Sequence, residues 1–528
     1  LSFSPGSFLR LARAGFVLAR EGVFSAVDPV ILPPPARLPL ALAKLIARRD
    51  TGKTAKPGGN LSNAFSRLGP SYVKLGQFLA TRPDVVGPVV VQELEHLQDR
   101  MAAFPRETAV GIIETAFGRP VDKIFVELSE PLAAASIAQV HRALVKDAVG
   151  TREVAVKIMR PGIERRFRRD LGDMLTIARL AERLIPDMQR LKLVEVVETM
   201  ARAVKMEMDF RLEAAAASEF GENTAKDEDF RVPSVDWDRT AKDVLTLEWI
   251  NGIPLSDIAS LKARGYDLPD LGRIVIQSFL RHAMRDGLFH ADMHQGNLFI
   301  DPQQRLVAVD FGIMGRLNLK ERRFLAEILY GFIIRDYRRV AEVHFEAGYV
   351  PRTYRIEDFA QAIRAIGEPI HSRTADQISM AKLLTLLFEV TGLFEMKTRT
   401  ELVMLQKTMV VVEGVARKLD PKLDMWSTSE PVVRRWIEDN LGPVGKVQDA
   451  GRALGQIGRF AAELPAFLER TENLLTGLET ITASGLSLSD PSWRQVTKAT
   501  ARAGRSGHTA LWVIAIATLL ILWRLYQL

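Results

Sequence analysis

The chain has 528 residues, 47% of them hydrophobic and 26% charged, with a formal net charge of +7 and a pI near 9.4. This length allows more than one core, the composition argues against extensive disorder, and the basic balance suits anionic lipid, phosphorylated ligands or nucleic acid without choosing among them. The absence of cysteine excludes disulfides, thiolate zinc sites and cysteine nucleophiles, and the eight histidines show no metal-ligand spacing, so any metal is expected to arrive with a ligand.

Between Phe8 and Phe24, Leu9, Ala12, Phe16, Ala19 and Val23 recur at helical spacing while Arg10, Arg13 and Arg20 fall on another face. This predicts a basic amphipathic helix that either lies on an anionic membrane surface or docks on its own protein. Pro33, Pro34 and Pro35 and the loose stretch 50–60 mark a linker. Helical patterning then runs over 61–117 and carries Lys74-Leu75-Gly76-Gln77. The period changes to that of strands at 124–128, 137–144 and 154–159, with a turn at 147–151, which predicts three antiparallel strands. Helices are expected over 164–184 and 194–220, short strands near 232–235 and 244–250, and mainly helix from Gly252 to Leu419, interrupted by strand pieces at 298–300 and 306–309. Eighteen residues between Arg505 and Arg524 hold no Asp, Glu, Lys or Arg, which predicts a transmembrane helix over 509–525. Arg494, Lys498, Arg502 and Arg505 precede it without acids, placing the large domain on the cytoplasmic side.

The pattern that carries chemistry is His290-Ala291-Asp292-Met293-His294-Gln295-Gly296-Asn297, followed by Asp310-Phe311-Gly312. An aspartate precedes an asparagine by five and a second aspartate opens DFG, the spacing at which protein kinases hold a catalytic aspartate and two Mg²⁺ ligands. Asp292 is therefore the expected catalytic residue, accepting or orienting a substrate hydroxyl proton, with Asn297 and Asp310 as Mg²⁺ ligands. Lys157, in Val154-Ala155-Val156-Lys157 on the third strand, sits where kinases contact the ATP α/β-phosphates. It needs a helix carboxylate: Glu213 is the first choice and Glu207 the second. Leu132, Ala133, Ala134, Ala135, Ser136, Ile137, Ala138, Gln139 and Val140 occupy the place of a glycine-rich phosphate loop, and their Cβ atoms limit positive φ and close approach to phosphate. Glu248, on the strand at 244–250, is assigned to the same ATP site.

Taken together these residues resemble the UbiB/ADCK family over roughly 61–314, on the motifs Lys74-Leu75-Gly76-Gln77, the alanine-rich segment 133–141, Val154 to Lys157, Glu207-Met208-Asp209, the loop 290–297 and Asp310 to Gly312. The resemblance implies an α+β, two-lobed protein-kinase-like fold that uses ATP and Mg²⁺. It also implies that Lys74 and Gln77, with Glu207 and Asp209, form a regulatory extension in which Lys74 reaches over the active site and obstructs a peptide substrate. The family's commonest loop carries prolines where this chain has Met293 and Gln295.

By that resemblance the expected function is a kinase or ATPase supporting ubiquinone biosynthesis, with inner-membrane lipids or quinone precursors and biosynthetic enzymes as partners and no nucleic acid. A phosphotransferase acting on a protein or small hydroxyl compound is the alternative, and a lipid-binding scaffold without catalysis is a third. The expected division is 1–60 amphipathic helix and linker, 61–123 helical extension, 124–250 N-lobe, 251–430 C-lobe, 431–508 helical linker and 509–525 transmembrane anchor.

Overall fold

The computed structural model describes residues 5–26, 34–46, 60–80, 86, 88–94, 97, 101–147, 150–184, 189, 191–371, 390, 392–396 and 400–441. The segment 509–525 expected to cross a membrane lies outside them, and among the described residues no helix is long and apolar enough to do so.

The N-lobe sheet is built from β1 (Glu127–Ala134), β2 (Ala138–Asp147), β3 (Gly150–Met159) and, after the two-residue β4 (Phe230–Arg231), β5 (Val244–Glu248). These pair antiparallel in the order β1-β2-β3-β5. Along β3 the strand period of two decides what faces the site. Val154, Val156 and Ile158 are fully buried against Ala109 and Ile113 of helix α6 (Arg106–Phe117), so Ala155 and Lys157 face the opposite side. That side is covered by α7 (Ile163–Leu184), α8 (Leu193–Glu207) and α9 (Phe210–Thr224), whose Phe167, Met200, Phe210 and Ala214 pack with Leu245 and Leu247.

Three boundaries differ from the sequence reading. The first strand starts at Glu127 and runs on to Ala134, because Ile124 and Phe125 bury beneath the sheet after a 3₁₀ turn at Val121–Lys123. The helix expected over 194–220 breaks at Asp209, whose backbone is extended (φ −133°) and whose side chain caps α9 by accepting from Arg211 N at 3.2 Å. The strand expected at 232–235 lies at Phe230–Arg231, leaving Val235 a single bridge to Leu247.

The C-lobe centres on α11 (Leu268–Arg281), which follows the short α10 (Ile258–Ala263). Its Ile274, Val275, Ile276, Phe279 and Leu280 anchor the largest core. Beyond it come α12 (Leu319–Ile333), α13 (Tyr337–Glu346), α14 (Ile356–His371), α15 (Thr400–Leu419) and α16 (Met425–Leu441). Short strands carry the loops of interest: β6 (Ile253–Pro254), β7 (Leu288–His290), β8 (Leu298–Ile300), β9 (Leu306–Ala308) and β10 (Met314–Arg316). The β7/β10 pair, Met314 opposite His290, was not expected from sequence.

The N-terminal extension is a helical layer laid on α7. It comprises α1 (Pro5–Arg20), α2 (Pro34–Ile46), α3 (Asn60–Leu68), α4 (Pro70–Leu79) and α5 (Pro88–Leu94). Arg10 bonds Asp173 through two nitrogens at 2.6 and 3.0 Å, Ser71 donates to Asp170 at 2.6 Å, and Arg166 donates to Leu68 O at 3.0 Å. Thus α1 docks on its own protein, with only part of the stripe its periodicity suggests buried. Ala14 and Ala19 are buried, whereas Leu9 and Phe16 remain 61% and 37% exposed. Gly69 turns the chain between α3 and α4 at φ +101°, where a Cβ would meet the Arg166 guanidinium at 2.3 Å. Inside α4, a Cβ on Gly76 would stand 2.6 Å from Leu97, 2.8 Å from Phe65 and 3.3 Å from Leu94. Gly76→Val should therefore destabilise the chain by about 1–3 kcal/mol. A denaturant midpoint equal to wild type would show that this layer does not need the close approach.

Candidate active site

Lys157 emerges from β3 beneath α9 and donates to both carboxylate oxygens of Glu213, at 2.8 and 3.0 Å, and to Asp310 Oδ1 at 3.2 Å. The Phe210 ring lies 5.5 Å from the ammonium, adding a cation–π contact. Burial alone would lower the Lys157 pKa, but Asp310 and Glu213 outweigh it and raise it. Glu213 responds the other way: burial pushes it up to about 7 despite the lysine. Asp310 is held well below the usual carboxylate range, since Lys157, the Gly312 N–H and the charge of Lys74 overcome the upward push of burial. Glu213, not Glu207, is thus the partner of Lys157.

The catalytic-type loop follows β7. Asp292 N–H donates to His290 Nδ1 at 3.1 Å, so that nitrogen is the acceptor and the ring proton sits on Nε2, 3.3 Å from Val309 O. Burial lowers the His290 pKa, consistent with this neutral ring. The ring also packs at 5.6 Å on Phe311, which in turn meets Phe220 of α9 at 6.1 Å. His290 therefore ties the loop to the Asp310-Phe311-Gly312 turn and to the helix bearing Glu213. It was read from sequence only as part of a motif.

Asn297 donates through Nδ2 to Asp292 O at 3.1 Å and weakly to Asp292 Oδ2 at 3.4 Å, which turns its amide oxygen away. Asp310 adopts φ +65°, uncommon for a residue with a side chain, and its Oδ1 takes Lys157 and the Gly312 N–H. The Asn297 amide oxygen and Asp310 Oδ2 lie outside these bonds, and both are the hard oxygen donors Mg²⁺ requires. Among the described residues no group of three or more His, Asp or Glu could hold a metal. The Asp292 side chain is 41% exposed, open to an approaching hydroxyl.

The extension brings a charge toward this cluster, since Lys74 helps to lower the Asp310 pKa. Lys74 Nζ, on α4, lies 2.7 Å from Glu207 Oε2, with both side chains largely shielded. Gln77 follows one turn later on the same helix. Asp209, expected to meet Lys74, instead pairs with Arg211 at 2.6 Å while capping α9. The segment before α6 runs along the alanine-rich region: Met101 N–H donates to Ala134 O at 3.1 Å, and Phe104 exchanges bonds with the Gln139 side chain at 2.9 and 3.2 Å. The other Gln139 amide proton reaches His141 Nε2 at 2.9 Å, so His141 donates from Nδ1 to Ser129 O at 2.8 Å.

Within the expected ATP segment, Gln139 is fully buried as a clamp on Phe104, and the Ile137 and Ala138 side chains belong to the core under α7–α9, so main-chain groups are what this turn can present to a phosphate. Leu132, Ala133 and Ala134 lie in β1, and only Ala135, Ser136 and Ile137 make the turn, closed by Ala135 N–H to Ala138 O at 2.8 Å. Val140 pairs with Lys157 across β2 and β3 and so shares its face. The Glu248 carboxylate is occupied by Arg231 at 2.5 Å and by Ser234, which leaves its main chain as the part able to meet a nucleotide.

Residues 96–344 match the profile of the ABC1 atypical kinase-like domain, and residues 363–424 that of the UbiB helical domain. The chain is 37% identical to a Marinobacter nauticus protein named probable protein kinase UbiB, over 88% of this chain and 83% of that protein. It is 39% identical to one of the same name from Xanthomonas euvesicatoria, over 87% and 84%. A Mycobacterium tuberculosis protein solved in complex with erythromycin aligns at 23% identity with a TM-score of 0.47, covering 72% of this chain and 94% of its own.

Proposed function

The chain belongs to the UbiB family of ABC1 atypical kinase-like proteins, and from that premise we propose that it is a membrane-associated kinase or ATPase that binds Mg-ATP and supports ubiquinone biosynthesis. The observation that carries this reading is the convergence of Lys157, Glu213 and Asp310 within 3.2 Å, beside a loop presenting Asp292 and Asn297. In this reading Lys157 neutralises the α/β-phosphates, Asn297 and Asp310 hold Mg²⁺, and Asp292 orients the attacking oxygen. Mg²⁺ supplies charge neutralisation on the phosphates.

Lys74 over the cleft counts against an extended peptide acceptor and favours isoprenoid lipid intermediates or partner enzymes as the target. The basic sequence before 509–525 supports a single-pass anchor in the bacterial inner membrane with the catalytic domain cytoplasmic. The exposure of Asp292 favours a second reading, phosphate transfer to a small hydroxyl compound or a protein. In a strain lacking the gene, wild type should restore ubiquinone and Asp292→Asn should not. Restoration by the variant would overturn the ATP-dependent role.

A further inference from the structure

The loop from His290 to Asn297 contains no proline, so no ring fixes its φ angles. Two contacts from one distant helix supply support instead. Thr408, in the middle of α15 and only 1% exposed, places its hydroxyl 3.0 Å from the carbonyl of Ala291, the residue before Asp292. It is also 2.8 Å from Met404 O in its own helix, so its single proton is shared between helix and loop. Ten residues on, Lys418 Nζ donates to Gln295 Oε1 at 3.2 Å. Between these points Met293 is buried in the C-lobe core, and Ala291 N–H is held by Ile313 O at 3.0 Å.

The geometry points to α15 as the brace of the catalytic loop, with Thr408 and Lys418 as positioning residues for Asp292. This rests on the reading of Asp292 as the residue that orients the attacking oxygen. Thr408 fixes where the loop leaves β7, and Lys418 restrains Gln295 where a proline would otherwise stiffen the chain. The helical segment is then part of the catalytic apparatus without touching the substrate, since a small displacement of an orienting carboxylate costs rate rather than affinity.

The test uses the full chain and two readouts. In hydrogen exchange, Thr408→Val should speed the amides of Asp292 and Asn297 by about tenfold and leave those of β3 unchanged, while Thr408→Ser should exchange like wild type. In steady-state ATP turnover, Lys418→Ala should lower kcat by roughly three- to tenfold with KM for ATP unchanged, and should have no effect in a Gln295→Pro background. Unchanged loop exchange in Thr408→Val, or the same loss from Lys418→Ala in both backgrounds, would overturn the brace. A wild type without ATP turnover would count against the proposed function alone, because the exchange readout does not depend on activity.

Discussion

Lys157→Met should abolish ATP turnover and destabilise the fold at the same time. Among the described residues its ammonium is the only cation bonded to the buried Glu213, and it also holds Asp310. Breaking a buried pair by removing one partner costs about 3–5 kcal/mol. The loss should fall at the low end, because Glu213 is already raised to about 7 and can take up a proton once the lysine is gone. Adding Glu213→Gln should recover part of the stability and none of the turnover. Turnover in folded Lys157→Met within about twofold of wild type would remove this lysine from the chemistry.

Asp292→Asn should also lose turnover, by roughly 10²–10⁴-fold, but with ATP affinity and stability nearly unchanged. The side chain is partly open, its bond to Asn297 is long at 3.4 Å, and an amide keeps its shape. Rapid-quench turnover alongside nucleotide binding separates the outcomes. A variant that loses ATP affinity instead would make Asp292 a member of the metal set.

Lys157, Asp292, Asn297 and Asp310 were legible in the sequence because their chemistry fixes residue type and spacing within short local segments. Glu213 was legible as a carboxylate a helix must supply, and Lys74 as a cation that should meet Glu207. Several other features depend on partners distant along the chain. Gln139 lies in the segment read as a phosphate loop, and only the return of Phe104, 35 residues earlier, shows that its side chain clamps that main chain. The Glu248 carboxylate pairs with Arg231, whose position depends on β4 joining the lower sheet. The break at Asp209 was signalled only by a capping residue inside a helical pattern, with no glycine or proline to mark it. On α1, alanines rather than the larger Leu9 and Phe16 form the buried contact, since small side chains let helices approach closely and hydrophobicity alone does not reveal that choice. Thr408 and Lys418 carried no sequence signal, lying more than a hundred residues from the loop they touch.

The most direct measurement is calorimetric titration of ATP into the full chain with and without Mg²⁺, for wild type and Asp310→Asn. Wild type should bind ATP at least about tenfold more tightly with Mg²⁺, because the Asn297 and Asp310 oxygens then act through the metal. Asp310→Asn should bind with little or no Mg²⁺ dependence. Wild-type binding indifferent to Mg²⁺, or full dependence retained in Asp310→Asn, would contradict the assignment of this cleft to Mg-ATP.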